Sequence, residues 1–199
     1  MAGHCPITTL VYYGRIEMPK LYILCGIPAS GKTSWAIEFL KEHPDTRYIS
    51  RDEIRFSIVN EDEDYFSHEA EVFAEFSGAV AQTLMEGFDV IADATHINQF
   101  SRNKLIAAVD NFITEYEIKY VVFYTGVEVC INRNHQREGR AQVPDATIRG
   151  MRRSFKVPTL QESNRATEII EVGKPTDEFY YLIEPYRKDV EYERDIPNE

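Results

Sequence analysis

The sequence predicts an α/β fold, a mostly parallel sheet of about five strands with helices on both faces. Two observations carry this expectation. Gly26-Ile27-Pro28-Ala29-Ser30-Gly31-Lys32-Thr33 stands directly after the apolar run Leu21-Tyr22-Ile23-Leu24-Cys25 and directly before a helix-like segment. That is the strand, loop and helix setting in which a glycine-rich loop cradles phosphate. Beyond it, short apolar runs and amphipathic stretches keep exchanging, as they do when parallel strands are joined by crossover helices.

Taken in order, residues 33–42 are rich in helix formers, with Trp35, Ile37, Phe39 and Leu40 available to face a sheet, and His43-Pro44-Asp45 ends the run. Residues 46–50 read as a short strand, and Arg51-Asp52-Glu53-Ile54-Arg55 follows at its carboxyl end. In open parallel sheets ligands bind at that edge. The acidic stretch 61–64 reads as a solvated loop. Residues 67–86 place Ala70, Phe73, Ala74, Ser77, Val80, Ala81 and Leu84 at helical spacing, with Gly87 as the stop. Phe88-Asp89-Val90-Ile91-Ala92 is the third strand and delivers Asp93-Ala94-Thr95-His96 to the same edge. The alternation continues with a helix over about 99–109, a strand over about 118–124 and a helix over about 127–136. Pro144-Asp145 opens a further helix to about Phe155, since proline is tolerated in a first turn and the carboxylate complements the helix dipole. Residues 167–172 form the fifth strand.

A length of 199 residues, 43% of them hydrophobic, supports one well-buried domain, expected over 20–176. Residues 1–19 read as a short leader, and 177–199, with Phe179, Tyr180, Tyr181, Tyr186 and Tyr192 among charges, as a docked segment and an acidic tail. A formal charge of −11 argues against a protein that coats nucleic acid, so any polyanionic substrate must meet a local basic patch. Cys5, Cys25 and Cys130 lack paired spacing, which argues against a disulfide framework or zinc site and suits a cytoplasmic location. The apolar stretch 7–13 is too short to span a bilayer and lacks a basic segment before it, so no membrane association is expected.

The loop implies a nucleoside triphosphate: its N–H groups and the following helix N-terminus meet phosphate, Lys32 brings a point charge, and Thr33 offers a hydroxyl to magnesium. Gly26, Ser30, Gly31, Lys32, Thr33 and Ser34 are the nucleotide-binding set. Asp52 stands where a carboxylate can accept a proton from an attacking hydroxyl, or alternatively caps the helix that follows. Arg55, one turn on, lies on the same side and can grip a substrate phosphate, or is an ordinary surface arginine. Asp93 ends a buried strand, where an acid needs a partner, and magnesium is the favoured one. Thr95, His96 and Asn98 read as turn and capping groups ahead of catalysts. Between residues 133 and 156, Arg133, Arg137, Arg140, Arg149, Arg152, Arg153 and Lys156 face only Glu138 and Asp145, a local reversal of sign that calls for an anionic partner. Gly139, within Arg137-Glu138-Gly139-Arg140, allows a short lid to bring arginines over a triphosphate, the alternative being a solvated helical face.

These segments together resemble the kinase domain of polynucleotide 5′-hydroxyl kinases and related small phosphate-loop kinases. The matching pieces are the loop at 26–33, Ser-Arg-Asp-Glu-Ile-Arg at 50–55, Asp-Ala-Thr-His-Ile-Asn at 93–98, and the stretch from Arg133 to Phe155. The resemblance implies a P-loop kinase-type fold with an arginine-bearing lid, using ATP and Mg2+. By it, Lys32 and Thr33 bind phosphate and metal, Asp52 is the general base, Arg55 contacts the acceptor's phosphate, and Arg137, with Arg140, serves as lid arginine. Asp93 matches the family's acid at the strand end. The implied activity is transfer of the γ-phosphate to a hydroxyl, foremost the 5′-hydroxyl end of DNA or RNA. A kinase of small alcohols, such as sugars, nucleosides, antibiotics or aminoacyl groups, and a non-catalytic nucleotide-binding regulatory module are the alternatives.

Overall fold

The computed structural model describes residues 17–175 and Phe179. Its sheet contains β1 (Lys20–Cys25), β2 (Thr46–Ser50), β3 (Asp89–Asp93), β4 (Glu117–Phe123) and β5 (Ala166–Val172), all parallel, in the spatial order β2-β3-β1-β4-β5. The helices are α1 (Lys32–Glu42), α2 (Arg51–Ile58), α3 (Glu69–Met85), α4 (Gln99–Asp110), α5 (Val127–Asn134) and α6 (Asp145–Ser154). From β1 the chain first builds β2 and β3 on one side and then crosses to β4 and β5 on the other. The carboxyl end of β1 is therefore the switch point where an open sheet leaves a crevice for a ligand.

Period-two alternation decides which face each strand residue serves. Leu21, Ile23, Cys25, Val90, Ala92, Ile118, Tyr120 and Val122 enter one layer with Phe76, Val80, Leu84, Leu105, Cys130 and Ile148. Tyr22, Leu24, Ile91, Val121 and Phe123 enter the other with Ala36, against which Trp35, Phe39 and Leu40 pack. Helices thus flank both faces, but unequally. Among the described residues α1 alone supplies the second layer, while α3, α4, α5 and α6 supply the first.

Local chemistry sets the helix ends. The Ser50 hydroxyl accepts from the Glu53 N–H at 3.3 Å and is the cap of α2, so Asp52 is not the cap but sits inside the first turn. Asn98 caps α4 in a reciprocal box with Ser101, as its capping reading expects. Gly87, at φ +83°, follows the end of α3. Pro144 falls one position earlier than a first-turn proline, in an extended cap conformation with Asp145 opening α6. The helix expected to run to about 136 stops at Asn134, because the Asn134 carboxamide turns to the peptide of Val143. Its Nδ2 donates to the Val143 carbonyl at 2.7 Å, and its Oδ1 accepts from the Val143 N–H at 3.0 Å.

One buried ion pair ties the sheet edge to the C-terminal part of the domain. Arg102, 0% exposed on α4, donates to Glu162 at 2.7 and 2.6 Å and to the carbonyls of His96 and Lys156 at 3.0 Å each. His96, also buried, donates from Nδ1 to the Leu24 carbonyl at 3.1 Å, and burial pushes its pKa down to about 3. Phe179 packs on Tyr124 and Phe155, with Arg152 3.7 Å over its ring. Residues 1–16 of the leader expected over 1–19, and the tail with Tyr180, Tyr181, Tyr186 and Tyr192, lie outside the described residues. No helix among the described residues is long and apolar enough to cross a membrane.

Replacing Arg102 by Met leaves the Glu162 charge buried and unpaired, and should lower stability by about 3–5 kcal/mol in urea unfolding. Arg102→Met combined with Glu162→Gln should recover much of that loss. His96 should show neutral-ring NMR shifts far below the usual pKa of 6.5. Because the unfolded ring takes up a proton that the folded one refuses, its contribution to stability is complete above about 6.5 and declines as the pH falls toward 3.

Candidate active site

The loop between β1 and α1 is shaped by close approach and by backbone conformation. A Cβ on Gly26 would stand 2.5 Å from the Ser30 Oγ and 3.1 Å from the Phe123 Cβ, so a side chain there would displace the Ser30 hydroxyl and crowd the end of β4. Ala29 at φ +60° and Gly31 at φ +99° bend the chain into a concavity of N–H groups, the arrangement that receives an anion. Neighbouring strand ends hold the loop in place: the Gly26 N–H donates to the Thr95 carbonyl at 3.0 Å, and the Thr125 hydroxyl to the Ser30 carbonyl at 2.8 Å. No side chain caps α1 at Gly31, which leaves its first N–H groups to a ligand. The Ser30 Oγ is buried with no hydrogen-bond partner among the described residues, a polar atom that a bound phosphate would satisfy.

Lys32 is buried, and its Nζ donates to the carbonyls of Gly26 at 3.1 Å and Ile27 at 2.9 Å. Burial lowers its pKa, the charges of Asp93 and Asp52 oppose that shift, and the charge of Arg137 adds to it. Three residues singled out from separate stretches of sequence are thus close enough for their charges to act on one ammonium.

Asp93 ends β3 and is buried; its Oδ2 accepts from the Thr33 hydroxyl at 3.1 Å and from the Tyr48 hydroxyl at 2.6 Å. Burial first, and then the Asp93 charge, raises the Tyr48 pKa, so the phenol stays a donor. The juxtaposed hydroxyl and carboxylate of Thr33 and Asp93 are the hard oxygen donors that suit magnesium beside a phosphate. Tyr48 was not singled out from the sequence. Its position two residues from each end of β2 showed which way it faced, but not that it reached the acid on the next strand.

Asp52 lies on the first turn of α2 with its side chain 68% exposed. Its Oδ1 accepts from the Arg55 Nη1 at 2.9 Å and from the Tyr65 hydroxyl at 3.0 Å. Asp52 and Arg55 therefore do share a side, as the spacing of one helical turn requires. Arg55, however, is only 6% exposed, and its Nη2 donates to both oxygens of Glu69 at 2.5 and 2.9 Å. Arg51 joins the same carboxylate at 2.8 Å. Glu69 and Tyr65 were missed because their partners lie on another element, where helical spacing says nothing.

The segment between α5 and α6 spreads its arginines. The Arg133 Nη1 comes within 3.8 Å of where a Gly31 Cβ would stand, so this arginine, noted only as part of the basic stretch, lies against the phosphate loop. Arg137 is exposed and acts on Lys32. Arg140, in a short 3-10 turn at Gly139–Ala141, donates to the Val59 carbonyl at 3.0 Å and lies 5.5 Å from the Phe56 ring, which places it beside α2. Gly139 takes φ +57°. Arg149 on α6 pairs with Glu128 on α5. Ser34 is exposed in the first turn of α1.

Solved structures with the same fold include a chain of the Pnkp1/Rnl/Hen1 RNA repair complex, 24% identical with a TM-score of 0.61, the match covering 69% of this chain and 44% of that one. A fungal RNA kinase matches at 11% identity and a TM-score of 0.58, over 80% of this chain and 39% of that one. Kti12 of Chaetomium thermophilum, in complex with ADP-AlF3, matches at 18% identity and a TM-score of 0.56, over 83% of this chain and 96% of that one. The chain thus spans less than half of the first two. The sequence profile of the AAA domain family covers residues 21–158, which take in the phosphate loop, Asp52, Asp93 and the arginine-bearing segment. Carrying that domain over more than half its length, with a P-loop kinase-like fold built around a nucleotide-binding loop, the chain belongs to the AAA domain family.

Proposed function

We propose that the chain is an ATP-dependent phosphotransferase that moves the γ-phosphoryl group to a hydroxyl, with the 5′-hydroxyl end of DNA or RNA as acceptor. The observation that carries this reading is the loop at the switch point of the sheet, where buried Lys32 and the bonded pair of Thr33 and Asp93 stand with Asp52, an exposed carboxylate held by Arg55 and Tyr65. A loop that only binds nucleotide has no use for a carboxylate held in this way. The names of two structural neighbours, an RNA repair complex and an RNA kinase, agree with a nucleic-acid acceptor.

In the proposed reaction the acceptor hydroxyl gives its proton to Asp52 as its oxygen bonds the γ-phosphorus. The bond from that phosphorus to the β–γ bridging oxygen breaks, and ADP leaves with the electron pair. Lys32 exchanges its two loop carbonyls for phosphate oxygens, and Arg137 adds positive charge to the transferring group, the main means by which proteins speed this chemistry. Thr33 and Asp93 would hold magnesium, which when bound neutralises charge on the phosphates. Tyr65 and Arg55 keep Asp52 aimed. Cys25 and Cys130 are buried, and burial pushes the Cys25 pKa up to about 12, which leaves that thiol inert.

One observation favours a second reading. Arg55 is engaged by Glu69 and Asp52, which leaves it less able to grip an acceptor phosphate and would suit a kinase of neutral alcohols. Transfer to 3′-phosphorylated nucleosides compared with sugars separates the two.

Labelled γ-phosphate should pass from ATP to short 5′-hydroxyl oligonucleotides in the presence of magnesium. Asp52→Asn should lower kcat by about 10²–10⁴ while ATP still binds, and Lys32→Ala should remove transfer. Nucleotide binding without transfer to any nucleic acid would reject this acceptor. Only a few acceptor phosphates are met, so KM for the oligonucleotide should change little with salt, with a slope near that of one or two phosphates by the order of magnitude for counterion release.

A further inference from the structure

We propose that Phe56 and Phe66 form a stacking platform for the nucleobase next to the reacting hydroxyl, so that the site selects acceptors carrying a planar base; this rests on the kinase reading above. The two rings are 43% and 60% exposed, although one lies on α2 and the other just before α3, and neither belongs to a core layer. They flank Tyr65, whose ring centroid is 6.3 Å from that of Phe56 and 4.9 Å from that of Phe66, both edge-on. The Tyr65 hydroxyl donates to Asp52 at 3.0 Å. One hydrogen bond therefore links the aromatic wall to the carboxylate that would take the acceptor's proton.

Guanidinium groups lie against the rings, Arg55 at 4.6 Å from Tyr65 and 5.7 Å from Phe66, and Arg140 at 5.5 Å from Phe56. Arg55 is already held by Asp52 and Glu69, so what the wall offers an acceptor is a surface for its base and not a grip on its phosphate. A base stacks on exposed aromatic faces whatever its identity, which gives affinity for a nucleotide end without reading its sequence. Tyr65 is committed to Asp52 and Arg55, so the outer rings are the ones left to meet a ligand.

The test compares a 5′-hydroxyl oligonucleotide with the same strand carrying an abasic 5′-terminal residue, using the full chain and its Phe56→Ala, Phe66→Ala and Phe66→Trp variants. With the unaltered chain, the abasic end should raise acceptor KM about tenfold. Phe56→Ala and Phe66→Ala should raise KM for the normal strand, leave KM for ATP as it was, and shrink the normal-to-abasic ratio toward one. Phe66→Trp should keep the ratio. A ratio as large in the alanine variants as in the unaltered chain overturns the platform while leaving the kinase reading intact. Absence of transfer from the unaltered chain to either strand overturns the kinase reading and the platform with it.

Discussion

A lysine ammonium buried at the carboxyl end of a parallel sheet is the constraint around which this molecule is arranged. Removing such a charge from water costs several kcal/mol unless nearby groups compensate. Lys32 is compensated by two loop carbonyls and by the field of Asp93 and Asp52. Each of these compensations sets a further requirement. The carbonyls of Gly26 and Ile27 turn inward to the ammonium, and Gly26 leaves room beside Ser30 and Phe123 that a Cβ would crowd. Asp93 reaches the ammonium only because β3 lies directly beside β1.

Two networks flank this lysine. On the nucleotide side, the hydroxyls of Thr33 in α1 and Tyr48 in β2 both donate to Asp93 at the end of β3. On the other side, Asp52 belongs to a short helix, and its aim depends on Arg55, Arg51 and Glu69 joining α2 to α3.

Much of this was readable in the sequence because it is local. The phosphate loop, the period-two strands and the shared face of Asp52 and Arg55 all follow from spacing along the chain. What could not be read involves residues far apart in sequence. Glu69, which claims the Arg55 guanidinium, begins a different helix. Arg102 and Glu162 are 60 residues apart, and only their burial together makes them a pair. Arg140 is expected beside Arg137 as a lid arginine, and the sequence does not show that its guanidinium meets Phe56 and the Val59 carbonyl, 81 residues away. The unequal covering of the sheet was also hidden, since alternation of strand and helix does not say which face each crossover takes.

The carboxamide of Asn134, held by both polar atoms of the Val143 peptide, closes the segment that carries Arg137 and Arg140 into a ring at its base. Once the ends of a loop are fixed, the entropy lost on closing it grows only slowly with its length, by about 0.6 kcal/mol for each doubling. Added length between the two anchors therefore costs the fold little, whereas exchange of Arg140 would give up its bond to the Val59 carbonyl.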